Sequence, residues 1–446
     1  MNERRGEEIF AQVTAAARAL GVRDVEAALS AGSHSLTRFA NNAIHQNVSE
    51  RGATLSVRAL EDGRTARAET NRLDADSIRR VVEEAVAITR LQAPDPELPG
   101  LAEPQPLTPV SRWFRGTAEA GPRDRARAVA EAIRVVEEQS LTAAGIYATG
   151  ESVLGILNSR GVRAWHRETL AQFSITALGA DSSGWAKLTA CNRGDLDPAA
   201  LASCAASKAA ASAGPAEIGP GRYTVILEPA AVLDLVGQMF GDFSATALRD
   251  GRSFLADRLG TQLFGRNIRI ADDVRHLAQS GPPFDGEGVP RQALDLVEQG
   301  VARQVACCRQ AARQNGVTPT GHGFYVPNVT GEAPMNIVIA GGNASLDQMI
   351  ASTPRGILVT RFWFIREVDP YQKIMTGMTR DGAFLIEDGR LAGGLRNFRF
   401  NQSLIELLNN VEALGPAARA SGEEAIDMVA PAMKVHNFQF TEVTRF

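Results

Sequence analysis

The sequence holds only six histidines, His34, His45, His166, His276, His322 and His436, and no two of them stand three or four residues apart. No helix of this chain can therefore present two imidazoles on one face to a metal ion. Cysteine is as scarce: Cys191, Cys204, Cys307 and Cys308 are too few and too unevenly placed for a disulfide framework. A reducing cytoplasm is the expected location. No stretch approaches the ~18 uninterrupted apolar residues of a membrane span, and the charged start Met1-Asn2-Glu3-Arg4-Arg5 runs into no apolar secretory segment. A basic excess is missing too, since 47 basic and 51 acidic residues leave a net charge of −4. Neither nucleic acid nor a membrane is an expected partner. Nor is there a G-x-S-x-G elbow or a Walker loop, so two common routes to hydrolysis have no sequence support.

What remains is an ordinary globular composition, 44% hydrophobic and 22% charged, in a chain long enough for two to four domains. Ile9, Val13, Ala16 and Leu20 recur at helical spacing before Gly21, which predicts a first amphipathic helix with a glycine stop. Strand-like runs at 36–39, 43–48, 53–60 and 64–69 follow, parted by Asn41-Asn42 and Asp62-Gly63. Ile78, Val81, Val82, Ala85 and Ile88 then restore a helical stripe behind a cap at Asp76 or Ser77. The first unit, residues 1–95, is expected to be helix, four strands, helix.

Six of the 21 prolines lie between Gln92 and Val110, which makes residues 96–115 the clearest linker. A second unit, 116–217, opens with a helix carrying Ala126, Val129, Ala132, Ile133 and Val136. It continues with strand-like runs at 145–148, 153–157, 162–166, 170–178 and 185–190 and closes on an alanine-rich helix near 198–213. The runs 53–60 and 171–178 share their alternation and their place in the order of elements, so the two units read as a duplication. From 218 to 446 short strands and glycines dominate, with strand candidates at 223–227, 336–340, 356–364, 383–387 and 398–400 and turns at Gln299-Gly300 and Asp388-Gly389. The fold class is α+β: two related small helix–meander–helix domains and a large strand-rich C-terminal domain.

Three residues are candidates for chemistry. Phe284-Asp285-Gly286-Glu287-Gly288 sets two carboxylates two positions apart between glycines, a pattern that suits cation binding or acid–base work in an extended loop. The competing reading is a glycine-shaped turn ahead of a hairpin. Thr320-Gly321-His322-Gly323 places a histidine in an exposed, flexible setting, either as a substrate contact or as a polar loop residue without a role. Cys307 and Cys308 read as small buried side chains more readily than as a redox pair. Arg361-Phe362-Trp363-Phe364-Ile365-Arg366 reads as a strand with aromatic packing, of a kind that also clasps peptides.

Thr37-Arg38-Phe39-Ala40-Asn41-Asn42-Ala43-Ile44-His45-Gln46, the Asp285 loop, Thr318-Pro319-Thr320-Gly321-His322, Gly341-Gly342 before Ser345-Leu346, and Thr376-Gly377 with Phe384-Leu385-Ile386-Glu387-Asp388-Gly389 together resemble the TldD/PmbA family, in the same order and over nearly the whole chain. The resemblance implies a tripartite chain that dimerises around a proteolytic chamber. It also implies a His-Glu-x-x-x-His helix and a late cysteine as metal ligands in TldD-type members, which act on unfolded peptides. The corresponding helix here reads Ala231-Val232-Leu233-Asp234-Leu235-Val236-Gly237-Gln238-Met239-Phe240, with neither histidine nor glutamate, and no cysteine follows Cys308. The chain is thus similar to the TldE (PmbA) type. That likeness implies a subunit with no metal or cofactor of its own, paired with a TldD-type subunit that carries the metal, zinc by expectation, or with itself. Two alternatives stand beside it: an independent homo-oligomeric peptide-binding or regulatory protein, and a hydrolase using Asp285, Glu287 or His322.

Overall fold

The computed structural model describes residues 1–444. Its N-terminal half is built on one sheet. Helix α1 (Glu3–Ala19) leads into strands β1 (Asp24–Ala40), β2 (Ala43–Glu61) and β3 (Arg64–Thr70) and then helix α2 (Ala75–Leu91). After the proline-rich stretch come the short α3 (Arg115–Ala118), α4 (Pro122–Glu137), strands β4 (Thr142–Asn158), β5 (Arg163–Leu178) and β6 (Ser183–Ala190), and α5 (Pro198–Ala211). The sheet order is β3-β2-β1-β4-β5-β6, so the two units join edge to edge through antiparallel pairing of β1 with β4.

Each unit has three strands where the sequence suggested four or five. The expected breaks at 49–52 and 149–152 lie inside single long strands, because Gly52 and Gly150 sit within continuous ladders. The turns hold as expected: Asn41, Asn42, Asp62 and Gly63 all have positive φ, the conformation a two-residue hairpin turn needs. Helix α2 starts earlier than its sequence stripe suggested, because Asp74 caps it by accepting the Ser77 N–H at 3.0 Å.

Alternation along the strands divides the sheet into two faces. Val25, Ala27, Leu29, Leu55, Val57 and Ala59 pack under α1 and α2, while Phe173, Ile175 and Ala177 pack under α4 and α5. Removing one such ring, as in Phe173→Ala, costs about 3–5 kcal/mol by the usual cavity argument. The opposite face carries Glu26, Ala28, Arg58 and Ile156 and meets the C-terminal half through a second apolar cluster that includes Phe284 and Val289.

The proline-rich stretch has almost no regular structure, yet it is only partly a free linker. Leu101 and Ala102 are buried, and the Asn158 side chain donates to the Ala102 carbonyl at 2.8 Å. Residues 92–94, 96, 97, 103–106, 108 and 109 are exposed.

The C-terminal half holds two sheets. One contains six short strands, among them Ile270–Asp272, Leu294–Glu298 and Ile337–Ile339. In the other, Arg355–Asp369, Gly221–Leu227, Met433–Val443, Phe398–Ser403 and Ile374–Glu387 pair in that order, and the last pairs back to the first. Phe362, Phe400 and Phe438 pack together, with Phe362 and Phe400 edge-on at 4.9 Å. No helix among the described residues is long and apolar enough to cross a membrane.

Candidate functional site

Asp285 and Glu287 sit in a tight turn whose backbone closes through the Asp285 N–H to the Val289 carbonyl at 2.9 Å. Gly286 and Gly288 are required there, since a Cβ at Gly286 would lie 2.5 Å from the Tyr325 nitrogen and one at Gly288 would strike Val162. One Asp285 oxygen accepts the N–H groups of Glu287 and Val289 at 2.9 and 3.0 Å, and the other accepts that of Gly323 at 2.8 Å. The carboxyl is 3% exposed, and burial first, then the nearby Glu287, push its pKa up to about 7. Two of its bonds close the turn itself and the third ties it to the His322 loop.

Glu287 reaches instead toward the N-terminal sheet. Its carboxylate accepts from Arg309 at 2.9 Å and lies 3.7 Å from the guanidinium of Arg58, a fully buried residue of β2. Beside them Arg67 of β3 pairs with Glu26 of β1 at 2.5 Å and donates to the Val326 carbonyl at 3.0 Å. Burial pushes the Glu287 carboxyl up, against the pull of Arg309 and Arg58. The loop thus works as an ionic latch between the sheet and the C-terminal half. Both carboxylates are closed off from solvent.

His322 is 1% exposed and so is not the exposed loop histidine the flanking glycines suggested. Its Nδ1 lies 2.9 Å from the Thr320 hydroxyl, and its Nε2 lies 3.1 Å from Asp272. The approach to Asp272 is close but does not have the alignment of a good hydrogen bond. The other Asp272 oxygen accepts the N–H groups of Met335 and Asn336 at 2.6 and 2.8 Å. Burial acts to raise the Asp272 pKa, but His322 and the Asn336 N–H outweigh it and hold the carboxyl below its ordinary value. Asp285 and His322 come together through Gly323, while Glu287 points away to Arg309. None of Asp285, Glu287 and His322 faces open space.

Helix Pro229–Val236 is the segment that corresponds to the metal-binding helix of the resemblance, and its chemistry fits no metal. Asp234 is fully buried; one oxygen accepts the Phe362 N–H at 3.1 Å and the other accepts those of Glu423 and Glu424 at 3.3 Å. Burial raises its pKa to about 6 against these three bonds. Gln238 donates to the Glu424 carbonyl at 2.8 Å, and the Glu424 carboxylate accepts from the N–H groups of Phe364 and Ile365. The surroundings are close-packed, since a Cβ on Gly422 would lie 2.3 Å from Leu233 and one on Gly237 would lie 2.4 Å from Ala425. Asp234 was visible in the sequence, but its partners lie far along the chain and left no local signal.

The buried thiols are inert. Burial pushes Cys307 up to about 11 and Cys308 to about 12, so neither forms a thiolate near neutrality. On the open part of the sheet face a trough of about 640 Å³ runs over Ser30, Gly32, Gly52, Gly150 and Ser152.

Three family models cover the chain in order: PmbA/TldA metallopeptidase domain 1 over residues 25–89, the central domain over 118–213 and the C-terminal domain over 220–442. The chain is 23% identical to metalloprotease PmbA of Escherichia coli O157:H7 over 398 residues, which is 85% of each chain. It is 25% identical to a metalloprotease TldD homolog of Buchnera aphidicola over 257 residues, covering 53% of this chain and 50% of that one. The crystal structure of TldE from Thermococcus kodakarensis superposes with a TM-score of 0.88 at 20% identity, covering 98% of this chain and 100% of that one. With its three segments matched in order and its fold shared, this chain belongs to the PmbA/TldD family.

Proposed function

We propose that this chain is the non-catalytic, TldE-type subunit of a cytoplasmic TldD/TldE-type metallopeptidase that degrades or processes unfolded peptides. The observation that carries this reading is Asp234. It is the one carboxylate on the helix where a TldD-type subunit would hold metal, and both of its oxygens are taken by backbone N–H groups. A metal ligand needs a free lone pair and room beside it, whereas three of the roughly four lone-pair sites of Asp234 are spent on backbone N–H groups and no histidine or cysteine stands beside it on the helix. Asp285, Glu287 and His322 give the hydrolase alternative little support, because each is buried and engaged in holding loops together. Within the complex the chain's role is to build the chamber wall and to hold peptide for the partner's metal.

The test is purification of the untagged complex from its host with elemental analysis of the separated subunits. A stoichiometric TldD-type chain carrying the metal, with none on this chain, is the expected result. A tightly held metal on this chain alone would overturn the reading.

A further inference from the structure

Up to the bulge between Arg38 and Phe39 the two repeats keep the same strand pairing at an offset of 118 positions. Ala31 faces Ala53 as Thr149 faces Ala171, and Leu55 faces Thr70 as Phe173 faces Leu188. They differ at one edge. In the second repeat, residues 163–170 of β5 run past the end of β6, and an extended piece of this chain lies against them. Arg112 bridges Glu168 in parallel, the Thr169 N–H donates to the Arg112 carbonyl at 3.0 Å, and the Phe114 N–H donates to the Thr169 hydroxyl at 3.1 Å.

In the first repeat, residues 43–53 of β2 run past β3, whose pairing stops at Leu55. Among the described residues no strand or bridge pairs with that edge, and nearly every residue of it is exposed. Arg51 is the counterpart of Thr169. Its N–H therefore points off the sheet, as do those of Asn47 and Ser49, which share its phase along the strand.

We propose that this free edge of β2 binds an unfolded peptide in extended conformation. A strand edge left uncovered over this length is a template for pairing with another chain. The covered counterpart shows what fits: an extended segment held through its backbone, which any sequence can supply. It also runs parallel to its strand, whereas two copies of one edge related by a two-fold axis across the sheet would run antiparallel, so a second copy matches it less well. The trough reaches this edge at Glu50, Arg51 and Gly52 and combines small residues such as Gly32, Gly150 and Ser152 with charged ones, Glu151 and Glu168 among them. This inference rests on the reading of the chain as part of a peptidase for unfolded peptides.

The probe is a fluorescein-labelled, unstructured peptide added to the full chain and followed by anisotropy. Arg51→Ala keeps the outward N–H and should bind as the wild type does. Arg51→Pro removes that N–H while leaving the bonds to β1 untouched, and should weaken binding about tenfold. Ser49→Pro serves as a second variant, and hydrogen exchange on the wild-type chain should show residues 43–53 slowed by peptide. Equal binding by both proline variants, or no slowing on peptide addition, overturns the proposal. So does a dimer of the free chain that dissociates on Arg51→Pro, which would make a second copy the occupant. Metal-dependent turnover by the mixed subunits is read separately, so a failed edge and a failed subunit assignment give different results.

Discussion

Ser33 and Glu151 face each other at the middle of the shared sheet, and they are the same position in the two repeats, 118 residues apart. A pseudo-two-fold axis therefore passes between them, and the duplicated units form one sheet about it. The equivalent glycines Gly32 and Gly150 flank the axis. A Cβ on Gly32 would lie 2.4 Å from the Glu151 carbonyl oxygen, and one on Gly150 would lie 2.3 Å from that of Ser33. The turns repeat the exchange, since Asn42 accepts the Ala143 N–H and Ser159 accepts that of Val25, its counterpart.

Gly32→Ala and Gly150→Ala are each expected to destabilise the chain by about 1–3 kcal/mol, and by similar amounts, because each forces the same two strands apart. Urea unfolding of both variants checks this. A neutral effect at one site and a large one at the other would mean that the axis is not an energetic feature of the sheet.

Asp285 has a pKa raised to about 7 from an ordinary 3.8, so its contribution favours the folded state at acid pH and is lost as pH rises through 7. Asp285→Asn gives up the bond from Gly323 but carries no buried charge. Its destabilisation relative to wild type should therefore shrink between pH 5 and 8, by on the order of a few kcal/mol. Denaturant melts of both proteins at the two pH values decide it. A gap that stays constant or widens would show that the carboxyl is ionised throughout.

Glu287→Gln leaves the buried Arg58 facing a neutral group and weakens the hold on Arg309. The expected loss is about 1–3 kcal/mol of stability, because Glu26 alone is left to offset the buried Arg58 and Arg67 and a charge-assisted bond to Arg309 is weakened. Turnover per folded complex should stay within about twofold, as expected of a group outside the chemistry. Thermal melts and activity normalised to folded protein separate the two effects.

A protease of broad specificity should nick residues 103–110 first, leaving the halves associated through the shared sheet. Leu101 and Ala102 should resist because they are buried beside Asn158. Mapping the first cut by mass spectrometry tests the boundary. An initial cut inside β1 or β4 would contradict it.

The parts of the fold legible in the sequence were those fixed locally. Amphipathic stripes marked α1, α2 and α4, alanine richness marked α5, and residues that tolerate positive φ marked the turns at Asn41-Asn42, Asp62-Gly63 and Asp388-Gly389. Strand lengths were misjudged where glycine serves close approach between neighbouring strands and not a turn, as at Gly150. His322 looked exposed because its flanking glycines suggest a loop, whereas its burial depends on Asp272, which no spacing rule links to it. The latch from Glu287 to Arg58 was hidden for the same reason: buried ion pairs between distant segments leave no periodicity to read.

The measurement that tests the central claim most directly is degradation of an unstructured peptide by this chain alone, by a TldD-type partner alone and by the mixture, each with and without a chelator. A subunit without metal ligands cannot by itself supply the nucleophile and oxyanion stabilisation that amide hydrolysis demands of a metal centre. The account predicts no turnover by this chain alone and chelator-sensitive turnover by the mixture, unchanged by His322→Ala when corrected for folded protein. Chelator-insensitive turnover by this chain alone, abolished by Glu287→Gln or His322→Ala, would contradict it.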